Sequence, residues 1–258
     1  MQNQLAPPRV SIITVSFNSS KTIHDTLNSV AMQDYPNIEH IIIDGLSTDN
    51  TIEIANSFPH VKQVITEKDD GIYDAMNKGL KLATGDIIGI LNSDDFYVSK
   101  KVISDIVSLF KKENVDSLYA DLVYVNPENT QKVVRTWIAG NYNPRKFLFG
   151  WMPPHPTFFV RKEIYTQWGN FYTKLKSAAD YELMLRFLYK HRISASYLPQ
   201  VIVKMRIGGN SNSSFKGRLR ANREDREAWR MNSLVPFFFT ILLKPMRKVY
   251  QFFYRIDA

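Results

Sequence analysis

From Val10 onward, apolar and polar positions follow two alternating rhythms. VSIITVSF (10–17) is a β-rich apolar run, and Asn18, Ser19 and Ser20 behind it are helix-capping residue types. Ile23, Leu27, Val30 and Ala31 then share one helical face. IEHIIID (38–44) predicts a second strand ending in an acid, followed by the polar turn GLSTDN and a short helix, TIEIANSF. VKQVIT (61–66) predicts a third strand. DGIYDAMNKGLKLATG (70–85) predicts a turn and a helix stopped at Gly85, and IIGILN (87–92) a fourth strand. Ile103, Ile106, Val107 and Phe110 mark one more amphipathic helix. Near-continuous apolar strands separated by helices predict a parallel sheet covered on both faces. Ligands of such sheets bind outside the carboxyl ends of the strands, where Asp44 and Asp94 both fall.

Past Asp116 the pattern changes. DSLYADLVYV and QKVVRTW flank a turn at Asn126–Thr130 and predict a hairpin. WMPPHPTFFV (151–160) reads as a rigid loop entering a short strand. Asp180 to His191 predicts a helix with Leu183, Phe187 and Leu188 inward, ISASYLPQVIVKM (193–205) a strand, and RIGGNSNSS (206–214) a loop. With no internal repeat and no long linker, the expectation is one main domain, 1–215, and a basic and apolar C-terminal helical extension, 216–258.

Composition narrows the class. With 258 residues, 44% hydrophobic and 22% charged, the chain can bury a sizeable core and is not dominated by disorder. It has no cysteine, which excludes disulfides and thiolate metal sites and fits a reducing compartment. MQNQLAPPR lacks the apolar core of a secretory signal, and no stretch has the length of a membrane span, so the expected location is cytoplasmic. The net charge of +8 is uneven: residues 216–258 hold ten Lys/Arg and four Asp/Glu, a surplus of six.

No G-x-G-x-x-G follows the first strand, and no G-x-x-x-x-G-K-[ST] occurs anywhere. A nucleotide held here needs something other than a glycine cradle, and carboxylates with a divalent cation supply it, since Mg²⁺ takes one or two carboxylates plus phosphate oxygens. Asn92-Ser93-Asp94-Asp95 is either such a site or a strand-terminating Asx turn.

Phe17-Asn18, the turn from Asp44-Gly45 to Asp49, Asp70-Gly71-Ile72-Tyr73-Asp74-Ala75-Met76-Asn77-Lys78-Gly79, and Asp94-Asp95 follow one another, each at a strand-to-helix turn. In these motifs the chain, over roughly 10–213, resembles the family-2 glycosyltransferases, and most closely bacterial enzymes that assemble surface polysaccharides of the colanic acid or O-antigen type.

The resemblance implies an α/β, GT-A-like fold: a mostly parallel central sheet flanked by helices, a small antiparallel portion, and the C-terminal helical extension. It implies an inverting enzyme using a UDP- or GDP-linked sugar, Mg²⁺ or Mn²⁺, and a glycan or lipid-linked acceptor. Ser16 and Asp44 would contact the nucleoside, with Asp44 accepting from a uracil or guanine N–H, although Asp44 also reads as a turn aspartate. Asp70, Tyr73, Asp74 and Asn77 would line the donor pocket, while Lys78 is either a pocket residue or a solvated helix lysine. Asp94 matches the last acid of the family's D-x-D motif and would hold the metal. Asn92 replaces the first acid and would hydrogen-bond a ribose hydroxyl, so the site has one carboxylate fewer. Asp95 assists or caps the next helix.

Asp180, in SAADYEL, matches the catalytic base, with Ala179 in place of the usual glutamate; by itself it also reads as a helix cap. His155, in PPHPTFF, would line the pocket. Trp151 is either a sugar-stacking ring or a core tryptophan. Arg206, with Gly208, Gly209 and Ser211, resembles a loop that closes over the diphosphate.

In the tail, Lys216, Arg220, Arg223, Arg226 and Arg230 form one basic helical stripe, followed by LVPFFFTILL and KPMRKVYQFFYR. This pattern fits a peripheral anchor on an anionic membrane surface, packing on the main domain, or a dimer contact. Acids at Glu224, Asp225 and Glu227 interrupt the stripe and no RNA-binding signature appears, so no nucleic-acid partner is expected. The alternatives to a transferase are a non-catalytic membrane- or nucleic-acid-binding protein on a degraded core, which Asn92 and Ala179 favour, and a nucleotidyltransferase, which gives no reason for a base at Asp180.

Overall fold

The computed structural model of the protein describes residues 6–208 and 215–251. The chain opens with β1 (Val10–Ser16), buried at every residue, and α1 (Ile23–Ala31), which turns Ile23, Thr26, Leu27 and Val30 inward and leaves Ala31 exposed. β2 (Ile38–Asp44), α2 (Thr51–Asn56) and β3 (Val61–Thr66) repeat the unit. α3 (Ile72–Leu82) lies so close to β1 that a Cβ on Gly79 would stand 2.3 Å from the Ile13 side chain, so only glycine permits the approach. β4 (Ile87–Ile90), β5 (Asp95–Tyr97) and α4 (Val102–Glu113) follow, the last burying Val102, Ile103, Ile106, Val107 and Phe110.

The second half holds β6 (Ser117–Val125), β7 (Val133–Trp137), β8 (Phe159–Arg161) and α5 (Lys162–Trp168). Next come α6 (Ala179–Met184), prolonged by a π-helical stretch at Leu185–Lys190, and β9 (Ala195–Arg206), α7 (Phe215–Met231) and α8 (Thr240–Tyr250).

The sheet runs β3-β2-β1-β4-β8-β6-β9-β5, with β7 also paired to β6. Its long ladders are parallel, β1 with β2 and β4, β2 with β3, and β6 with β9. The antiparallel pairings are short and involve β5, β7 and β8. The expected α/β architecture is therefore present, hairpin included. The Asn126 side chain accepts from the backbone N–H of Glu128 and Asn129 to shape the turn between β6 and β7. β9 skips register opposite Ala120 and Asp121, where Pro199 has no N–H to give the ladder.

Three local expectations need correction. Asn18, Ser19 and Ser20 do not cap α1, which starts after Thr22 with no side-chain cap; Asn18 sits at φ 48° and the Ser19 carbonyl accepts from the N–H of Thr22 and Ile23. Gly85 is not a left-handed helix stop: α3 ends at Leu82, and a Cβ on Gly85 would lie 2.7 Å from the Ser11 nitrogen. Asp95 opens β5, a strand too short to show in the pattern, so it does not cap α4.

The tail packs partly on the main body. Ala228, Trp229, Thr240 and Ile241 are buried, and the Trp229 indole donates to the Tyr181 hydroxyl at 2.8 Å. Arg220, Arg223, Arg226 and Arg230 form the exposed stripe on α7, while the Lys216 side chain lies outside the described residues. α8 crosses Gly150, which has φ +72° and whose added Cβ would meet the Lys244 nitrogen at 2.5 Å. Gly150→Val combines a disfavoured backbone with a clash against α8. It should destabilise the protein by about 2–4 kcal/mol, read as a lower denaturant midpoint; an unchanged midpoint would show that α8 does not depend on this seat.

His40 is fully buried, its Nε2 3.0 Å from the Thr14 hydroxyl and its Nδ1 3.0 Å from His60 Nε2. Burial, then the neighbouring His60, push its pKa down to about 3. The folded state therefore resists a proton that the unfolded chain takes up near the ordinary histidine value. The stability this residue supports is complete above about pH 6.5 and is lost as pH falls from there toward 3, by at most about 1.4 kcal/mol per pH unit. Urea titrations between pH 7 and 4 should give a shallower pH slope for His40→Gln than for wild type; equal slopes would contradict this.

Candidate active site

The carboxyl ends of β1, β2 and β4 gather three loops. Asp44, last in β2, is wholly buried and its carboxylate accepts from Ser16 Oγ at 2.9 Å, Ser47 Oγ at 2.5 Å and Ser47 N at 2.8 Å. Asp49 accepts from Ser20 N at 3.0 Å, tying the loop after β2 to the loop after β1. The loop after β1 meets the third, after β4, where Ser19 Oγ lies 2.8 Å from Ser93 Oγ, beside Asp94. Phe17 projects from this junction with 64% of its surface exposed, an aromatic face to which the motif reading gave no role of its own.

The third loop carries two adjacent acids. Asp95 is fully buried; burial first, then the charge of Asp94, push its carboxyl well above the usual range, against the pull of Asn92 and Arg206. Asp94 is half-buried, its carboxyl also raised by burial, with Arg206 and His155 among the groups pulling it back. Asn92 Nδ2 donates to Asp95 at 3.3 Å.

Arg206 is the last residue of β9 and not part of a loop, because the strand runs one residue beyond the expected end. It donates to the Asp94 carbonyl at 2.7 Å and pairs with Asp25, an acid absent from the motif reading. Gly209 and Ser211 lie outside the described residues.

Asp180 comes from the far side of the cleft. It sits in the first turn of α6 and does not cap it: the capping position is Ala178, without a side-chain bond. Its Oδ1 accepts from the Tyr73 hydroxyl at 2.9 Å, and Oδ2 lies 3.5 Å from His155 Nδ1. Burial lowers the His155 pKa while Asp180 and Asp94 raise it, so one imidazole lies within the field of both acids. Burial, then Asp180, push the Tyr73 phenol well up, and the hydroxyl keeps its proton to donate. Tyr124 on β6 also faces this region. Burial raises its phenol to about 12 against the pull of Arg135, with Asp95 and Asp180 adding to the rise.

The remaining expected residues build the frame. Asn77 makes a two-way bond with Phe171, Nδ2 to the carbonyl at 2.9 Å and Oδ1 from the N–H at 3.0 Å. Asp74 accepts from Asp70 N at 3.1 Å, and the exposed Asp70 offers its carbonyl to Lys176. Lys78 pairs with Asp69 at 2.6 Å and Glu67 at 3.0 Å, which makes it the clasp of this loop and not a free helix lysine. Trp151 is a core ring, buried, with its indole donating to the Ala139 carbonyl at 2.8 Å. A concavity of about 390 Å³ between α3 and α5, bounded by Lys81 and Lys162, is separate from these residues.

The donor set bears on a metal. Among the described residues no three His, Asp or Glu side chains cluster as ligands. Yet Asn92 Oδ1, Asp95 Oδ1 and Arg206 Nε are buried without a partner, all around Asp94. Two adjacent acids beside orphaned oxygens fit a divalent cation completed by ligand phosphates, not a protein cage.

With this geometry in place, the comparisons with known proteins are direct. The family model described as Glycosyl transferase family 2 matches residues 11–173. A PGL/p-HBAD biosynthesis glycosyltransferase of Mycobacterium bovis is 27% identical over 215 residues, 81% of each chain. An uncharacterized glycosyltransferase of Mycobacterium tuberculosis is 33% identical over 183 residues, 69% of this chain and 68% of the other. The Escherichia coli UDP-Glc:alpha-D-GlcNAc-diphosphoundecaprenol beta-1,3-glucosyltransferase WfgD is 29% identical over 213 residues, 80% of each.

Among solved structures, S. aureus TarS 1-349 with UDP-GlcNAc superposes with a TM-score of 0.69 at 22% identity, covering 87% of this chain and 65% of that one. The mannosyltransferase PcManGT of Pyrobaculum calidifontis, in complex with GDP-Man and Mn2+, gives 0.64 at 19% identity, covering 96% and 72%.

The chain belongs to glycosyl transferase family 2, with a GT-A-like fold, and is related to bacterial surface-polysaccharide glycosyltransferases. Its general activity is transfer of a sugar from a nucleotide-sugar donor to an acceptor.

Because Tyr73 donates to Asp180, Tyr73→Phe should lower kcat about tenfold or more while leaving the thermal midpoint near wild type. An unchanged kcat would remove that bond from the chemistry.

Proposed function

We propose that the protein is an inverting, metal-assisted glycosyltransferase that moves a sugar from a UDP- or GDP-linked donor to a hydroxyl of a glycan or lipid-linked acceptor in bacterial cell-surface polysaccharide synthesis, acting at the cytoplasmic face of the membrane. The observation that carries this reading is that Asp180, from α6, lies 3.5 Å from His155 Nδ1 while the charge of Asp94, after β4, acts on the same imidazole.

In this reading Ser16, Asp44 and the exposed ring of Phe17 form the nucleoside end, Phe17 offering a stacking face and Asp44 a carboxylate fixed by two serines. Asp70, Tyr73, Asp74 and Asn77 shape the wall beside the sugar. Asp94 would hold Mg²⁺ or Mn²⁺, with Asn92 beside it reaching a ribose hydroxyl, and the ion would neutralise charge on the departing diphosphate. Arg206 fixes the Asp94 backbone and adds positive charge at the same end.

Asp180, its orientation set by the Tyr73 hydroxyl, takes the proton from the acceptor hydroxyl. The acceptor oxygen then bonds to the anomeric carbon as the bond to the diphosphate breaks, and the leaving oxygen keeps that electron pair. Displacement from the opposite face inverts the anomeric centre. His155, held uncharged by burial, adds no competing charge between the two acids.

The test separates the two acids. Asp180→Asn should retain nucleotide binding and lose about a hundredfold or more in kcat. Asp94→Asn should lose the metal-dependent part of donor affinity. Both are read as nucleoside-diphosphate release across UDP- and GDP-sugars with and without Mn²⁺. Wild-type turnover in folded Asp180→Asn, or donor binding indifferent to Asp94→Asn, contradicts the assignment.

A further inference from the structure

Several of the most exposed apolar side chains among the described residues gather along α8 and the turn before it. Phe238, Leu242 and Met246, at four-residue spacing along α8 and the turn before it, are 91%, 60% and 62% exposed, and Val235 is 88% exposed. Phe149 joins them from the short helical turn Pro144–Phe149, its ring 6.1 Å from both Phe237 and Phe239. The two segments that build this face, 138–152 and 233–251, contain Arg145, Lys146, Lys244, Arg247 and Lys248 but no aspartate or glutamate.

Lys244 turns inward to Asp225 at 2.6 Å, while Arg145 and Arg247 are exposed at the edge of the aromatic cluster. Lys146 donates to the Asn141 carbonyl, and its pKa is lowered by burial and by the nearby Arg247. Cations gathered around an aromatic cluster, with no acid in either segment, favour an anionic partner with an apolar interior.

We infer that this face of α8 and the Pro144–Phe149 turn docks on an anionic phospholipid surface. The aromatic and aliphatic side chains enter the interfacial layer and the flanking cations meet lipid phosphates. The inference deepens the reading above, on which it rests for its purpose, because a membrane-bound protein would meet a lipid-linked acceptor. The far end of α8 is tied to β7: the Thr136 N–H donates to the Gln251 carbonyl at 3.1 Å and Arg135 donates to the Gln251 side chain at 2.9 Å. Arg135 in turn lies 3.6 Å over the ring of Tyr124, which faces the Asp95 and Asp180 region. No described helix is long and apolar enough to cross a membrane, so this contact is lateral.

The full chain is tested by flotation with vesicles of phosphatidylcholine alone and of phosphatidylcholine with phosphatidylglycerol. Wild type should float with the anionic vesicles, and the triple variant Phe238→Ser, Leu242→Ser, Met246→Ser should bind them roughly tenfold less. Arg145→Gln should weaken binding mainly at low salt. Thermal shift by UDP- or GDP-sugar in the absence of lipid should be the same for wild type and triple variant, which separates this claim from the assignment of the transfer site. Wild type that fails to float, or a triple variant that floats equally, overturns the inference. So does light scattering that shows a wild-type dimer made monomeric by the triple variant, which would make the face a contact between copies.

Discussion

Asp95 is a fully buried acid next to Asp94, whose charge raises its pKa further, and much of the site follows from that adjacency. A buried acid is costly unless protonated or compensated, and here the bond from Asn92 and the pull of Arg206 offset only part of that cost. Asp95 is fixed by the pairing of β5 with β9, and Thr26 Oγ1 donates to its carbonyl at 2.7 Å. The same strand pair ends at Arg206, which grips the Asp94 carbonyl. One short antiparallel pairing therefore sets the height of Asp94, burial of its neighbour and the position of the nearest cation.

The sheet explains how an acid so far along the chain reaches the same cleft. β1, β2, β3 and β4 are parallel and gather their loops at one edge, the usual place for a nucleotide. β8 then runs antiparallel beside β4 and carries the chain across from His155, so α6 begins facing the end of β4. The loop between them is anchored at both sides: Asn77 holds Phe171, and Glu224 of α7 accepts from Ser177 N at 2.6 Å. Below, Glu182 and Arg186 form a buried pair whose guanidinium also bonds the carbonyls of Gly169 and Asn170. The tail helices thus steady the segment that delivers Asp180, in addition to whatever they meet outside.

What could be read from the chain followed from period and continuity. β1, β2 and β4 are near-continuous apolar runs because both faces of the sheet are covered, and α4 shows its buried face at helical spacing. β5 escaped because three residues beginning with aspartate carry no period, and with it went the true position of Asp95. The Tyr73 to Asp180 bond spans 107 positions and no local pattern announces it. Nor does a local pattern announce that Asn77 ties to Phe171 or that Lys78 pairs with the acids Glu67 and Asp69. An aromatic directly after the first strand was the available signal for Phe17. Its exposure could be known only from the fold.

The central claim is that one reachable carboxylate, Asp94, holds a cation jointly with a bound diphosphate. Calorimetric titration of Mn²⁺ into the protein, with and without the nucleoside diphosphate, tests it most directly. The account predicts weak Mn²⁺ binding alone, about tenfold or more tightening with UDP or GDP, and loss of that coupling in Asp94→Asn. Mn²⁺ affinity that is the same with and without nucleotide, or coupling that survives Asp94→Asn, would contradict it.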